Sequence, residues 1–138
     1  MHDAYTAHDE TPAVDDYLRL RRIAGLSERS AAAAAAGLPH TAVGVVIRND
    51  GQAVGMGRAI GDGLFYQLVD IAVDPAHQRQ GLGKAIVAQL MAALEDHAPA
   101  EAYVSLIADG EAHLLYRQFG FVPTAPKSIG MAQWIKRR

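Results

Sequence analysis

The sequence contains no cysteine, and this absence excludes several kinds of chemistry at once. Disulfides, thiolate metal sites, redox motifs and a cysteine nucleophile all need a residue that the chain does not have. The six histidines show no ligand spacing such as H-x-x-x-H, so we expect no metal site. Any chemistry must therefore use carboxylate, hydroxyl, amine and backbone groups.

An excess of positive charge and a long apolar run are also missing. The chain has 13 basic and 15 acidic residues, a formal net charge of −2, which predicts no general affinity for nucleic acid or an anionic membrane. The N-terminal segment is polar and acidic, and no apolar run approaches the roughly 20 residues that span a bilayer. We therefore expect a cytoplasmic protein that binds neither nucleic acid nor membrane.

The length of 138 residues favours a single domain, residues 1–138. Half of the residues are hydrophobic and 20% are charged, which is ordinary for a globular protein. Size scaling gives a radius of gyration of about 14 Å, too small to enclose a large cofactor. Any such cofactor should lie in an open cleft.

Hydrophobic periodicity and turn residues predict an α/β domain with a mixed sheet. A first helix is expected after Thr11-Pro12 and ends at Gly25, and a second is expected from a cap at Ser27 through the alanines to Gly37. Three antiparallel strands are expected next, at 41–47, 52–60 and 64–73, followed by a long helix at 81–96. A further strand is expected at 102–107 and a short helix at 111–118, and terminal strands include Phe121 and Ile129 to Ile135.

The segment from Gln78 to Lys84 reads Gln-Arg-Gln-Gly-Leu-Gly-Lys and lies between a predicted strand and a predicted helix. Free N–H groups at the start of a helix, aided by the helix dipole, bind anions, and glycines let the backbone approach closely. The segment is not a P-loop, because Ala85 follows Lys84, and it is not a G-x-G-x-x-G fingerprint. Its pattern predicts a pyrophosphate-binding loop.

Two motifs resemble those of the GNAT superfamily of N-acetyltransferases. Gln78 to Gly83 resembles the acetyl-CoA signature and follows Val73-Asp74-Pro75, while Leu114 to Phe121 resembles the late helix and strand of the family. The resemblance covers about residues 40 to 135. It implies the GNAT fold, in which helices flank a mixed, mostly antiparallel sheet and acetyl-CoA lies in a cleft between splayed central strands. It also implies acetyl-CoA as cosubstrate, no metal, and a homodimer.

The resemblance implies roles for individual residues. Tyr116 is expected to face the thioester sulfur, either as an acid or as a hydrogen-bond donor to the thiolate. Asp109 stands where many relatives have an asparagine that contacts the cofactor. The other residues expected at the cofactor are Ile71, Ala72 and Val73 through their backbone, and Gln78, Arg79, Gln80, Gly81, Leu82, Gly83 and Lys84 around the pyrophosphate.

Asp70 is the candidate base that receives the proton of the amine. It is the only charged residue in the apolar run from Leu68 to Val73, and burial favours a carboxylate that accepts a proton. The alternative is a structural carboxylate paired with an arginine such as Arg58. Many GNAT members carry a glutamate near the position of Gln67, which cannot act as a base, so a water chain is the remaining route.

The acceptor follows from a narrower resemblance. Arg58 to Phe65, Asp70 and Gly130-Met131 are similar to the plant plastid-type serotonin N-acetyltransferases and their bacterial relatives. This implies direct transfer, in a ternary complex, to a primary amine of a small molecule such as an arylalkylamine, and the absence of cysteine excludes an acetyl-cysteine intermediate. The pocket candidates are Phe65, Tyr66 and Tyr17. The alternatives are a protein or peptide N-acetyltransferase and a non-catalytic CoA-binding sensor.

Overall fold

The computed structural model describes residues 3–137, and the chain divides after Leu106 into two compact units. The first unit contains a five-stranded sheet with three α-helices, and the second, from Ile107, contains one short helix. The helices are α1 (Val14–Ile23), α2 (Ala31–Gly37), α3 (Leu82–His97) and α4 (His113–Arg117). The predicted α/β class is confirmed.

The sheet is mixed and its strands are neighbours in chain order. They are β1 (Tyr5–His8), β2 (Val43–Asn49), β3 (Gln52–Gly61), β4 (Phe65–Val73) and β5 (Tyr103–Ser105). The first four pair antiparallel, and β5 pairs with β4 in parallel. Strand β1 was not predicted because its sequence is polar, and its residues alternate between half-buried and exposed.

Two details of the prediction are wrong. The cap of α2 is Ser30, whose hydroxyl oxygen accepts a hydrogen bond from the Ala33 N–H at 3.0 Å; the predicted cap, Ser27, bonds instead to Arg21. The terminal strands at Phe121 and at Ile129 to Ile135 are also absent from the sheet, since residues 121–137 form only turns and irregular chain. A strand pattern alone is insufficient, because a strand needs a neighbouring edge to pair with.

Helices cover both faces of the sheet. On one face, α1 and α2 bring Tyr17, Leu20 and Ala34 into a buried cluster with Met56 and Ala72 of the strands. On the other face α3 packs directly on β3.

The close packing of α3 depends on two glycines of β3. A Cβ atom at Gly57 would lie 2.5 Å from Cγ2 of Ile86 and 3.1 Å from Cδ1 of Leu90, and one at Gly55 would lie 3.2 Å from Cδ1 of Ile86. Gly55 and Gly57 are therefore helix-packing positions. This packing fixes α3, and hence its N-terminus, relative to β4.

Candidate functional site

Strand β4 is much longer than β5, its parallel neighbour on one side. Strand β5 pairs with it only at Phe65, Tyr66 and Gln67, whereas β4 extends to Val73. Within residues 3–137, no strand pairs with that edge of β4 beyond Gln67. The predicted splaying of central strands therefore occurs between β4 and β5, and it leaves one edge of the backbone around Ile71, Ala72 and Val73 without a strand partner.

A β-bulge interrupts β4 along this open stretch. Met56 pairs with Ala72 and Arg58 pairs with Val69, so one residue of β3 lies opposite Asp70 and Ile71 of β4. Asp70 has a φ of 58°, in the left-handed region that non-glycine residues seldom adopt. Bulges of this kind redirect side chains and often occur next to active sites.

The carboxylate of Asp70 pairs with two arginines. The Arg58 Nη1 donates to Oδ2 of Asp70 at 2.7 Å, and the Arg21 Nη1 donates to Oδ1. All three side chains are at most 9% exposed. Arg58 is the arginine that the sequence named as the alternative partner of Asp70, and both oxygens of Asp70 are engaged.

Other groups complete this buried cluster. The Arg21 Nε and Nη2 donate to the carbonyl oxygen of Ser27 at 2.9 and 2.6 Å, and the Arg58 Nε donates to the hydroxyl of Thr41 at 2.8 Å. Within the part of the chain that the structure describes, no buried side-chain nitrogen or oxygen lacks a partner. The cluster ties α1 to both β3 and β4.

Tyr17 also belongs to this cluster. Its ring lies 5.7 Å from the guanidinium carbon of Arg21 and 5.9 Å from that of Arg58. Burial raises the pKa of the Tyr17 phenol, and the negative charge of the nearby Asp70 raises it further. Arg21 was missed from the sequence, although its position one helical turn after Tyr17 on α1 places the two on one face.

The predicted pyrophosphate loop leads directly into α3. Gln78, Arg79 and Gln80 are exposed, and Arg79 and Gly81 both have positive φ, 65° and 78°. Gly81 is the N-cap, so no side chain bonds the first N–H groups, and the first helical hydrogen bond runs from the Ala85 N–H to the Gly81 oxygen at 3.1 Å. A Cβ at Gly81 would have no protein atom within 4 Å.

These features fit a bound pyrophosphate. The start of a 16-residue helix is left without a side-chain cap, beside open space and next to an exposed arginine and the exposed Lys84. Leu82 differs from its neighbours because its side chain is buried, with only 2% exposed. Only the backbone of Leu82 is therefore available to a ligand.

The second unit holds the remaining two site candidates. Tyr116 is half-buried on α4, and its ring packs edge-on against that of Phe121, with 6.2 Å between centroids. Burial raises the pKa of the Tyr116 phenol, and the charge of Asp109 raises it further. Asp109 itself is exposed and precedes α4.

The three aromatic pocket candidates do not form one cluster. Tyr17 is buried beside Asp70, while Phe65 is exposed at the start of β4 and contacts Tyr103 edge-on at 6.2 Å between centroids. Tyr66, the next residue of β4, is half-buried. Among the described residues, Tyr17 makes no ring contact with Phe65 or Tyr66.

Residues 3–137 contain neither a cluster of metal-ligating side chains nor a membrane-spanning helix. No group of three or more histidine, aspartate or glutamate side chains is placed to hold a metal ion. No helix in this range has the length and apolar character needed to cross a bilayer.

Comparison with known proteins identifies the family. Residues 40–123, which include the loop before α3 and Tyr116, match the family model described as an acetyltransferase (GNAT) domain. A crystal structure of a probable acetyltransferase from meticillin-resistant Staphylococcus aureus is 40% identical, with a TM-score of 0.88 over 96% of this chain and 99% of that one.

Two plant proteins are similar over part of their length. Arabidopsis thaliana GCN5-related N-acetyltransferase 2, chloroplastic, is 41% identical over 69 residues, 49% of this chain and 26% of that protein. Serotonin N-acetyltransferase 2, chloroplastic, from Oryza sativa subsp. japonica is 34% identical over 89 residues, 64% of this chain and 44% of that protein. The chain thus spans less than half the length of either plant relative.

Proposed function

Because the chain belongs to the GNAT acetyltransferase family, we propose that it transfers an acetyl group from acetyl-CoA to a primary amine of a small molecule, an arylalkylamine in particular. The observation that carries the proposal is the open edge of β4, which lies beyond Gln67 and leads through Val73 to the uncapped start of α3. The similarity to the rice serotonin N-acetyltransferase supports the choice of acceptor.

The chain offers one set of groups to each part of the cosubstrate. When bound, acetyl-CoA supplies an acetyl group activated as a thioester. The N–H groups of Leu82, Gly83 and Lys84 begin α3 and suit the pyrophosphate, with Arg79 adding positive charge. Ile71, Ala72 and Val73 offer backbone groups on the open edge of β4 to the extended pantetheine arm, as an additional strand would pair.

Tyr116 is the proposed partner of the departing thiolate. Its raised pKa keeps the phenol protonated at neutral pH, so it is a hydrogen-bond donor there. Full proton transfer from a phenol of ordinary pKa about 10 to a thiolate whose thiol has a pKa of about 8.5 is uphill. A hydrogen bond that stabilises the developing negative charge is therefore the proposed contribution.

Asp70 keeps two proposed roles, and its ion pairs favour one of them. A base needs an oxygen with room to accept a proton from the amine, whereas both oxygens of Asp70 accept hydrogen bonds from arginines. We favour a positioning role, in which Arg21 and Arg58 hold Asp70 in its left-handed conformation and thereby hold the bulge in β4. The proton of the amine then leaves through water.

The acceptor is tested by measuring release of the CoA thiol with a panel of amines. The panel contains tryptamine, serotonin, a short aliphatic amine, and peptides that present a free N-terminus or a lysine. The highest kcat/KM with an arylalkylamine supports the proposal, and the highest value with a peptide replaces it with the protein or peptide alternative. Saturable acetyl-CoA binding by calorimetry, with no thiol release for any amine, supports the sensor alternative.

The cytoplasm stays the predicted compartment. Both plant relatives are named as chloroplastic, which describes those proteins. Fluorescence microscopy of the tagged chain in its own cells tests this prediction.

A further inference from the structure

Two hydrogen bonds join residues 5–9 to the chain on either side of the loop of residues 78–84. The hydroxyl group of Tyr5, on β1, lies 2.9 Å from Nδ1 of His77, and the two rings pack edge-on with 5.6 Å between centroids. His77 is the residue immediately before the loop. Beyond the loop, Nε2 of Gln89 on α3 donates to Oδ1 of Asp9 at 2.7 Å. Residues 5–9 therefore contact both the chain that enters the loop and the helix that leaves it.

The contact at His77 bridges the sheet. His77 ends the short helical turn Pro75–His77 that follows β4, whereas β2 and β3 lie between β4 and β1. The start of the turn is bonded to β3, because the Asp74 N–H donates to the carbonyl oxygen of Val54 at 2.8 Å. The end of the turn is bonded to Tyr5. The turn is thus held at two points, one on β3 and one on β1.

The loop itself has a conformation that needs support from its surroundings. Arg79 and Gly81 have positive φ values of 65° and 78°. A left-handed conformation at a residue other than glycine persists only where the surrounding structure imposes it. The side chains of Gln78, Arg79 and Gln80 are exposed, so they have few neighbours that could do so. The conformation of the loop therefore depends on how its two ends are held.

The two ends differ in how firmly they are held. The end at α3 is fixed by packing, because Ile86 and Leu90 of this helix are fully buried against the sheet. The helix stays in place even without the bond of Gln89. The end at His77 lies on a turn whose other two residues are exposed, so its position depends more strongly on the bond to Tyr5.

We propose that Tyr5 is a positioning residue for the loop. Through His77 it holds the turn before the loop, and hence the backbone of residues 78–84, in the conformation that binds the pyrophosphate of acetyl-CoA. The inference rests on the proposed function, since it concerns the affinity of the same loop. Its effect falls on the binding of acetyl-CoA and leaves kcat unchanged, because the loop holds the pyrophosphate and not the thioester.

Tyr5→Phe tests the proposal, because it removes the hydroxyl and keeps the ring. The dissociation constant for acetyl-CoA, measured by calorimetry, is expected to rise about fivefold, the usual net effect of losing one hydrogen bond, with kcat unchanged. The matched control is Thr6→Val, which removes another hydroxyl of β1, bonded to Nε2 of His8 at 2.8 Å. The control binds as the natural chain does. An unchanged dissociation constant in Tyr5→Phe, or an equal rise in both variants, overturns the proposal.

A double variant tests whether Tyr5 acts through His77. In a His77→Leu background the hydrogen bond is already lost, so the addition of Tyr5→Phe is expected to change the dissociation constant by less than about twofold. A further fivefold rise in the double variant shows that Tyr5 acts by another route, and it overturns the proposal.

NMR relaxation tests the positioning in the absence of any ligand. The order parameters of the backbone amides of residues 79–83 are expected to fall in Tyr5→Phe and to keep their natural values in Thr6→Val. Unchanged order parameters in Tyr5→Phe overturn the proposal. If the natural chain binds no acetyl-CoA, the proposed function fails, whereas lower order parameters in Tyr5→Phe still support the role of Tyr5 in holding the loop.

Discussion

The Nη1 atom of Arg58 lies 2.7 Å from Oδ2 of Asp70, and both side chains are 9% exposed. Arg21 engages the other carboxylate oxygen from α1, so the same carboxylate joins a helix to two strands. Charges this deeply buried are costly when one partner is removed, because the remaining charge has neither water nor a counter-ion.

Replacing the carboxylate therefore carries a large cost in stability. Asp70→Asn leaves two buried guanidinium groups facing a neutral amide, and we expect the free energy of unfolding to fall by about 3–5 kcal/mol. Urea unfolding at pH 7 measures the loss. The matched control is Glu10→Gln, which breaks the more exposed pair with Arg48 and is expected to cost about 1 kcal/mol or less. Equal losses in the two variants contradict the account of the cluster.

Tyr17 predicts a pH dependence of stability. Burial and the charge of Asp70 raise the pKa of Tyr17 in the folded state, whereas the unfolded phenol titrates near its ordinary pKa of about 10. Above that pH the unfolded state loses a proton that the folded state retains, so the free energy of unfolding falls as pH rises.

Tyr17→Phe removes this contribution. Relative to the variant, the natural chain loses stability as pH rises above about 10, because only the natural chain has the phenol proton that the folded state retains. Urea unfolding of both proteins at a series of pH values from 7 to 11 measures this change. A difference in the free energy of unfolding between the two proteins that stays constant from pH 7 to 11 contradicts the prediction.

Tyr116 predicts a defect in catalysis with little effect on binding. Tyr116→Phe keeps the ring that packs against Phe121 but removes the hydroxyl. We expect kcat to fall by about 10²-fold, the usual effect of losing one donor to a developing negative charge, with KM for acetyl-CoA unchanged. Thiol-release kinetics measure both constants, and an unchanged unfolding midpoint is the control. An unchanged kcat removes Tyr116 from the mechanism.

A substitution at Gly81 is expected to weaken the binding of acetyl-CoA with little effect on catalysis. Gly81→Ala puts a methyl group into the open space at the start of α3, so KM for acetyl-CoA rises while kcat changes little. The positive φ also costs about 1 kcal/mol of stability. Gly25→Ala is the matched control, because Gly25 has a φ of 82° and equally open surroundings away from the loop. It should lose the same stability with an unchanged KM; a KM that rises equally in both variants contradicts the binding role of Gly81.

Local sequence signals predicted most of the elements and the loop before α3. The glycine at the start of α3 and the long helix itself both follow from residues that are close neighbours along the chain. Strand β1 depends on pairing with β2, more than 30 residues away, and its own residues carry no strong strand signal. Pairing of that kind has no local signature.

In the candidate site too, features set by local sequence were predicted and features set by long-range contacts were not. The motif predicted the residues of the loop, whereas the bulge at Asp70 depends on its register with β3 and on arginines from two elements. The sequence left Arg58 open as a partner and did not identify Arg21. The role of a buried carboxylate depends on contacts made by tertiary packing. The hydrophobic periodicity of the sequence does not predict those contacts.

Leu82 links two parts of the protein that are usually considered separately. Its side chain is buried in the interior, while its backbone belongs to the first turn of α3. A change in the interior that lets α3 slide by a fraction of an ångström also moves the N–H groups at its start. If the loop binds acetyl-CoA as proposed, substitutions far from the surface are expected to change its affinity without altering any residue that contacts the cosubstrate.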